Sequence, residues 1–421
     1  MEAPGCPVGL LMPRFEDVRR IAVLRGGGLG DLLFALPAVE ALAAAYPDAE
    51  VTLLGTALHA ELLGSRPSAV DHVEEIPKGA AGPGQVDVRA LDRFLAQTTA
   101  RGVDLAVQLH GGGRQSNPLV LGLGARHTVG SGTPDAAPLE RTLPFVYYQH
   151  EVVRALEVAS LAGAPAVVLT PRLTVTAEDL ARATEALGRA SAERPLLVIH
   201  PGARDPLRRW DVHRFALVAR WAAEDGFDVV VVGDPSDTAL GDRLVDLATD
   251  EAAAATAKRA RVHRAGAWGP DPGRRLHELP PPVDGPGTIR SMAGRLDLSG
   301  LVGVLALATV MLGNDSGPRH LAQAVGTRTV SIFWIGNVVN AAPVDRGRHR
   351  LHIGWVTRCP VCGRDVTGLS EETCDHEFEL SPEVRPQDVY ADVLALAEEA
   401  ADHGQDPSVS GQMRSSRTSQ P

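Results

Sequence analysis

The chain has 421 residues, of which 44% are hydrophobic and 22% charged, and its formal net charge at pH 7 is −11. This length accommodates two α/β domains, and the diffuse acidity argues against nucleic acid as a partner and allows at most peripheral membrane contact. No apolar run reaches the roughly 18 residues of a membrane span, and the N-terminus lacks the pattern of a signal peptide, so we expect a cytoplasmic protein.

A glycine-rich loop follows the first apolar segment. Residues 21–24 predict a buried parallel strand, residues 26–30 a tight turn and residues 32–46 an Ala- and Leu-rich helix. The loop does not match the dinucleotide-binding fingerprint, because Asp31 takes the place of the third glycine and the strand predicted over residues 51–54 ends without a ribose-binding acid. The pattern favours close approach of a ligand and argues against a nicotinamide dehydrogenase.

A second turn follows the strand predicted over residues 196–199. It carries His-Pro-Gly at residues 200–202 and Arg-Arg-Trp at residues 208–210, before an amphipathic helix over residues 212–223. A guanidinium group near a glycine turn suits a phosphate, because it can donate to two oxygens at once. Two adjacent arginines by themselves are also typical of a solvated loop.

A third turn has the sequence Gly-Asn-Asp-Ser-Gly-Pro at residues 313–318 and lies between an apolar strand and a helix. Asp315 or Ser316 can cap that helix, Gly317 permits close approach to the backbone, and His320 lies in the first turn. The N–H groups of a first helical turn form an anion site, which indicates a phosphorylated ligand. A well-capped buried helix is the alternative explanation.

Together these motifs resemble glycosyltransferase family 9, the heptosyltransferase family. The resemblance extends, with gaps, over residues 21–400 and implies a GT-B architecture, in which two Rossmann-like doubly wound α/β domains face a central cleft. It further implies lipopolysaccharide biosynthesis by transfer of a heptose from a nucleotide diphosphate sugar, usually ADP-heptose, to a hydroxyl of a glycan or small-molecule acceptor. Trp334 stands where the family usually has a small residue, so the donor's sugar and base stay open.

The resemblance also assigns roles to single residues. Asp31 is expected to act as the general base of an inverting displacement, with a helix N-cap as its alternative role. Arg208, with Arg209 as the rival, is expected to stabilise the leaving diphosphate, so catalysis requires no cofactor. The other expected donor-binding residues are Gly28, Gly30, Gly202, Asp237, Asp315, Ser316, Gly317 and His320. For Asp237, loop solvation is the alternative. Arg114 and Ser116 are candidates for binding the acceptor.

The alternation of apolar strands and Ala-rich helices predicts a doubly wound parallel sheet in each half. The predicted strands lie at residues 21–24, 51–54, 105–108 and 128–129 in the first half, and at 196–199, 229–232, 296–298, 310–313 and 329–333 in the second.

The predicted domain boundaries follow from these patterns. A poorly ordered extension is predicted over residues 1–18, an N-terminal acceptor domain over 19–175 and a C-terminal donor domain over 176–382. The donor domain contains an irregular insertion at about 250–290. A helix over 383–403 is predicted to pack back on the N-terminal domain, and a disordered tail follows over 404–421.

Three cysteines cluster after the last predicted strand, at residues 359–376. Cys359, Cys362 and Cys374, with His376, could supply four ligands to a structural zinc ion, and Asp375 could replace His376. A reduced, redox-sensitive thiol cluster is the alternative, since a reducing compartment disfavours disulfides.

Two other function classes share these features. A nucleotide-sugar epimerase could use the same two-domain cleft and would release free sugar or nucleotide without an acceptor. A non-catalytic nucleotide-binding protein could use the cysteine cluster to dock a partner. Product analysis with and without an acceptor distinguishes all three classes.

Overall fold

The computed structural model describes residues 6, 8–81, 84–188, 194–250, 285–367 and 375–403. The chain divides into two compact units, and each takes segments from both halves of the sequence. The first unit comprises Met1–Glu178, Ser316–Val325 and Gly336–Asp345. The second comprises Asp179–Asp315, Gly326–Ile335 and Arg346–Pro421.

The first unit contains a parallel six-stranded sheet in the order β3-β2-β1-β4-β5-β6. Its strands are β1 (Arg20–Leu24), β2 (Glu50–Gly55), β3 (His72–Glu75), β4 (Leu105–Gln108), β5 (His127–Gly132) and β6 (Arg141–Pro144). Its helices are α1 (Leu29–Ala45), α2 (Ala57–Leu63), α3 (Val88–Arg101), α4 (Ser116–Gly122) and α5 (Glu151–Leu161). The apolar residues of β1 and β4 are buried, as expected for central strands covered by helices on both faces.

The second unit contains a parallel six-stranded sheet in the order β12-β11-β10-β7-β8-β9. Its strands are β7 (Leu196–His200), β8 (Asp228–Val231), β9 (Ile289–Ser291), β10 (Val310–Asn314), β11 (Arg328–Trp334) and β12 (His349–Gly354). The helices that follow α5 in the chain are α6 (Ala177–Leu187), α7 (Val212–Glu224), α8 (Thr238–Thr249), α9 (Leu298–Leu307), α10 (Gly317–Ala324), α11 (Ile335–Ala341) and α12 (Pro386–His403). Of these, α10 belongs to the first unit, as does α11 apart from Ile335.

Strand register brings the loops of each unit to one edge of its sheet. Leu24 at the end of β1 lies opposite Leu54 of β2 and Gln108 of β4. In the second unit, Gly313 of β10 lies opposite His200 of β7. Ligands of open α/β sheets bind beyond the carboxyl ends of the strands, where the predicted motifs lie.

The parallel α/β architecture is confirmed, but one predicted strand is wrong. Residues 296–298 form no strand, because the Asp297 side chain accepts a hydrogen bond from the Gly300 N–H and caps α9. The third strand along the chain in the second unit is β9, which begins at the end of the segment predicted as an irregular insertion. The rest of that segment, residues 251–284, lies outside the described residues, as does the predicted tail at 404–421.

Two further boundary predictions are wrong for the described residues. The extension expected to be poorly ordered packs on the first unit, where Phe15 is buried and Met12 N–H donates to the Ser160 carbonyl. Helix α12 does not pack on the N-terminal half. Val389 and Val393 on α12 are buried in the core of the second unit with Trp221 of α7.

Candidate functional site

The carboxylate of Asp31 is fixed at the start of α1 by two donors. The Gly28 N–H donates to Asp31 Oδ2 at 2.9 Å, and Arg25 Nη2 donates to Oδ1 at 2.9 Å. Gly28 occupies the N-cap position, so the alternative that Asp31 itself is the N-cap is wrong. The Asp31 side chain is 42% exposed. A carboxylate has about four acceptor positions, so Asp31 keeps acceptor capacity toward solvent.

Gly27 is required by this arrangement. Its φ is +92°, in the region that favours glycine, and a Cβ there would lie 2.4 Å from Asp31 Oδ2. The glycine run therefore makes room for the Asp31 carboxylate against the backbone.

A row of charged side chains that no sequence motif indicated lies beside Asp31. The side chain of Arg25 is buried, and its Nη2 also contacts Glu151 Oε2 at 3.3 Å. Glu151 Oε1 pairs with Arg154, which donates to the carbonyl oxygens of Val146 and Tyr147. Arg25 stands directly before the glycine loop and could have been noticed, but its partner Glu151 is 126 residues away.

Two histidines line the same loop. His59 is fully buried beside the Gly28 carbonyl, and His110 lies against Gly26. Burial lowers the pKa of both His59 and His110, with the nearby Arg25 guanidinium acting in the same direction. Both shifts favour the uncharged imidazole beside the loop.

Helix α10 brings part of the third motif to this loop. A Cβ at Gly30 would lie 3.1 Å from His320 Cδ2, and the His320 ring meets the Phe34 ring edge-on at 4.6 Å. Arg319 is fully buried and donates to His320 Nδ1 at 2.6 Å. Ser316 occupies the N-cap position of α10, and Gly317 packs near Leu29. Gly28, Gly30, Ser316, Gly317 and His320 thus gather in the first unit.

The two acceptor candidates differ in their surroundings. Arg114 is exposed and pairs with Asp135 at 3.4 Å. Ser116 is 2% exposed, and its hydroxyl donates to the His110 carbonyl and accepts from Gln108. Because that hydroxyl braces the loop after β4, the structure argues against Ser116 as an acceptor-binding residue.

Asn314 joins the motifs of the second unit. Its buried side chain donates to the Pro201 carbonyl at 2.8 Å and accepts from the Trp210 N–H at 3.0 Å. Trp210 is itself buried and donates from its ring nitrogen to the Val384 carbonyl. The asparagine of the third motif therefore holds the loops of the second motif, a structural role that the sequence did not reveal.

The Asp237 side chain is buried, so neither of its two predicted roles, ribose binding or solvation in a loop, fits the structure. Its Oδ2 lies 3.3 Å from His200 Nε2. This hydrogen bond is the main cause that lowers the pKa of Asp237. Cβ atoms at Gly202 and Gly233 would lie 2.5 and 2.6 Å from the Asp237 side chain, so both glycines make room for it. Asp237 and Gly202 therefore form a buried brace.

Arg208 lies half-buried in the second unit between an acid and an aromatic ring. Its Nε lies 3.4 Å from Asp205 Oδ2, and its guanidinium carbon lies 5.9 Å from the centre of the Trp334 ring. The ring nitrogen of Trp334 donates to the Val356 carbonyl at 2.6 Å. Arg209 donates from Nε to the Ala203 carbonyl, so it supports the loop that carries Arg208. Asp315 also belongs to this unit.

Part of the predicted cysteine cluster assembles in the second unit. One ligand atom each of Cys359, Cys362 and His376 lies within 4.8 Å of the others, and Cys359 Sγ is 3.7 Å from His376 Nδ1. The Val361 N–H points at Cys359 Sγ at 3.4 Å. Cys374 lies outside the described residues. Asp375, the predicted alternative ligand, lines the same hollow as Cys362 and His376.

The model of glycosyltransferase family 9 (heptosyltransferase) matches residues 96–258 and 268–351, more than half of the chain. The chain belongs to glycosyltransferase family 9. The predicted family is thereby confirmed, although the first motif, which contains Asp31, lies before the matched residues. None of the helices in the described ranges combines the length and apolar character needed to cross a bilayer.

Curated relatives of this family 9 chain are bacterial heptosyltransferases. It is 21% identical over 342 residues to lipopolysaccharide core heptosyltransferase OpsX of Haemophilus influenzae. The aligned region covers 79% of this chain and 84% of that protein. It is 24% identical over 170 residues to lipooligosaccharide heptosyltransferase 2 of the same organism, covering 39% of the chain and only 40% of that relative.

A solved structure shows the same fold. ADP-heptose lipopolysaccharide heptosyltransferase II of Escherichia coli matches with a TM-score of 0.66 at 19% identity, covering 91% of this chain and 99% of that one. The predicted GT-B fold class is confirmed.

The buried pair of His200 and Asp237 predicts a pH-dependent contribution to stability. A carboxyl group whose pKa is lowered by folding stabilises the fold above its unfolded pKa of about 4, and this is lost as the pH falls through the folded value. We expect Asp237→Asn to lower the free energy of unfolding by about 1–3 kcal/mol at pH 7, with a smaller difference below pH 4.

Urea unfolding at pH 7, 5 and 3 measures this effect. Asp242→Asn, at an exposed position on α8, is the matched control and should change stability little at any pH. A loss for Asp237→Asn that is equal at all three pH values would contradict the electrostatic explanation.

Proposed function

We propose that this chain is an inverting glycosyltransferase that transfers a heptose from a nucleotide diphosphate sugar, with ADP-heptose as the leading donor, to a hydroxyl of a glycan or small-molecule acceptor. Family membership and the names of the relatives support the reaction class. The observation that carries the mechanism is the half-exposed Asp31 carboxylate, which two donors orient at the carboxyl edge of the first sheet.

Asp31 would act as the general base. A sugar hydroxyl is a weak nucleophile, so a carboxylate within hydrogen-bond reach takes its proton as the oxygen attacks the anomeric carbon. The bond between that carbon and the diphosphate oxygen breaks as the new bond forms on the opposite face, which inverts the configuration. The exposed side of Asp31 provides the acceptor position that this step needs.

The leaving diphosphate would be stabilised by fixed donors. Arg208 presents a guanidinium group to phosphate oxygens, and the Trp334 ring and Asp205 hold it in place. The N-terminus of α10, with Ser316 and Gly317, offers N–H groups to an anion. In this mechanism no catalytic metal or other cofactor takes part.

The partners follow from the same reaction. We propose a cytoplasmic enzyme that binds a nucleotide sugar and a glycan or small-molecule acceptor, touches the membrane at most peripherally and binds no nucleic acid. The diffuse negative charge of the chain supports the last point.

We also propose a structural zinc site at Cys359, Cys362 and His376, with Cys374 or Asp375 completing it. Zinc bonds of about 2.3 Å to sulfur and about 2.0 Å to nitrogen put tetrahedral ligand atoms about 3.5 Å apart, close to the 3.7 Å between Cys359 and His376. The positive φ of Gly363, +71°, lets the chain turn so that Gly363 N–H donates to the Cys359 carbonyl. A four-ligand site leaves no position for substrate, so the ion would stabilise the fold.

The first of three predictions from these proposals tests the base. Asp31→Asn should lower kcat by about 10²–10⁴-fold and leave the dissociation constant of the donor within about threefold, because a general base acts on the rate and little on ground-state binding. Turnover with product analysis and calorimetric donor binding are measured on one preparation. Asp48→Asn, an exposed change after α1, is the control, and wild-type turnover in Asp31→Asn would refute the assignment.

A second prediction tests the phosphate contact. Arg208→Ala should weaken ADP binding by about tenfold or more and adenosine binding little, because only the diphosphate gains from the guanidinium group. Arg209→Ala tests the rival assignment, and Arg204→Ala, at an exposed position of the same loop, is the control. Equal losses for both ligands in Arg208→Ala would mean that Arg208 acts through structure alone.

The third prediction concerns the cysteine cluster. Protein purified without added metal should contain about one zinc per chain, and a chelator should lower Tm before it lowers turnover per folded molecule. Cys362→Ser should have the same effect, whereas Cys6→Ser, in the other unit, should leave the zinc content unchanged. Protein without zinc, with the cluster thiols freely titratable, would favour the reduced thiol cluster.

A further inference from the structure

The guanidinium group of Arg25 uses all three of its nitrogen atoms inside the first unit. Nε donates to the Asp31 carbonyl at 2.8 Å, Nη1 donates to the Leu109 carbonyl, and Nη2 reaches both Asp31 Oδ1 at 2.9 Å and Glu151 Oε2 at 3.3 Å. The residue is 5% exposed. Such a cation has little freedom to reorient, so whatever it contacts is held in a defined position.

Charge balance explains why Arg25 can be buried here. A buried guanidinium is unfavourable unless it is paired with anions and its donors are satisfied. The Glu151 side chain is 22% exposed, against 42% for Asp31, so Glu151 is the more buried of the two acidic partners of Arg25. Glu151 in turn pairs with Arg154 through its other oxygen. The order of charges is thus Asp31, Arg25, Glu151, Arg154, with alternating sign.

Asp31 is constrained at both oxygens by this arrangement. The Gly28 N–H fixes Oδ2 from the backbone side and Arg25 fixes Oδ1 from the buried side. Two contacts on different oxygens define the plane of the carboxylate and leave its outer lone pairs toward solvent. A group that takes a proton must be held to within a fraction of an ångström, and a misplacement of about 1 Å can reduce the rate by about 10²-fold.

We propose that Arg25 is a positioning residue for Asp31 and that Glu151, through its ion pair with the same nitrogen of Arg25, holds Arg25 in that position. The inference rests on the proposed role of Asp31 as the base. Arg25 and Glu151 touch neither sugar nor diphosphate in this scheme, and they act through the orientation and charge of the carboxylate.

Other titratable groups face this cluster from the neighbouring elements. They are His59 of α2, His110 after β4, His150 before α5, and His320 of α10 beside Gly30. Burial lowers the pKa of His59, His110 and His150, which disfavours a positive charge on these three. The balance of charge at Asp31 is then set mainly by Arg25 and Glu151.

The test compares rate with binding in Arg25 variants of the full chain. Arg25→Met keeps the length of the side chain and removes its charge and donors. It should lower kcat by about 10–100-fold while the donor dissociation constant stays within about threefold. Arg25→Lys, which restores the charge but not the fork of donors, should recover part of kcat. Arg66→Met is the control, because Arg66 is also buried in the first unit and donates to the Leu62 and Thr174 carbonyls.

Glu151→Gln supplies a second readout that packing alone would not change. It keeps the size of the side chain and removes its negative charge, so the positive charge of Arg25 is then balanced by Asp31 alone. The carboxylate form of Asp31 is favoured because a nearby negative charge is gone. The acid limb of the kcat/KM profile should move to lower pH, with a lower rate on the plateau. A profile that falls equally at every pH would mean that Glu151 is only structural.

The outcomes separate this inference from the proposed function. Wild-type kcat in folded Arg25→Met, with Asp31→Asn inactive, would overturn the positioning role and leave the base assignment intact. Wild-type turnover in Asp31→Asn would overturn both. If Arg25→Met does not fold, Arg25→Lys and Glu151→Gln decide the question. Wild-type kcat in Arg25→Lys, together with wild-type kcat and an unshifted acid limb in Glu151→Gln, would overturn the inference.

Discussion

The rest of this structure depends on one constraint, the alignment of the carboxyl ends of neighbouring parallel strands. Because Leu24, Leu54 and Gln108 lie side by side, the chain segments that leave these strands must share one edge of the sheet. Hydrogen bonding within the sheet satisfies the backbone of the strands, whereas the segments after them need other partners. Glycines, capping side chains and buried polar side chains supply those partners, and this is where the chemically active groups lie.

Each unit meets that need with a buried polar residue. In the first unit, Arg25 donates to the backbone of the first turn of α1 and of the loop after β4. In the second, Asn314 joins the loop after β7 to Trp210. Both residues follow or end a central strand, and both are buried with their polar groups bonded. Buried polar groups of this kind specify one loop conformation, because any other leaves them without partners.

The same principle separates residues that hold the site from residues that can act in it. Asp237 and Ser116 were candidates for ligand binding, yet each is buried and engaged with neighbouring protein groups. Asp31 and Arg208 are held by neighbours but remain partly exposed. A side chain that is oriented and still accessible can meet a substrate without a large reorganisation. Exposure therefore distinguishes Asp31 from Asp237, although both are aspartates next to a glycine turn.

The sequence by itself determined the central strands and the family. Apolar runs predicted β1, β4, β7 and β10, because central parallel strands are buried on both faces, and three short motifs indicated glycosyltransferase family 9. The less buried strands β3, β6 and β12 gave no such signal. Only the tertiary structure decided the pairing of Arg25 with Glu151, the burial of Asp237 by His200, and the place of α10 and His320 in the first unit. These depend on contacts between residues far apart in the chain, and local propensity carries no information about them.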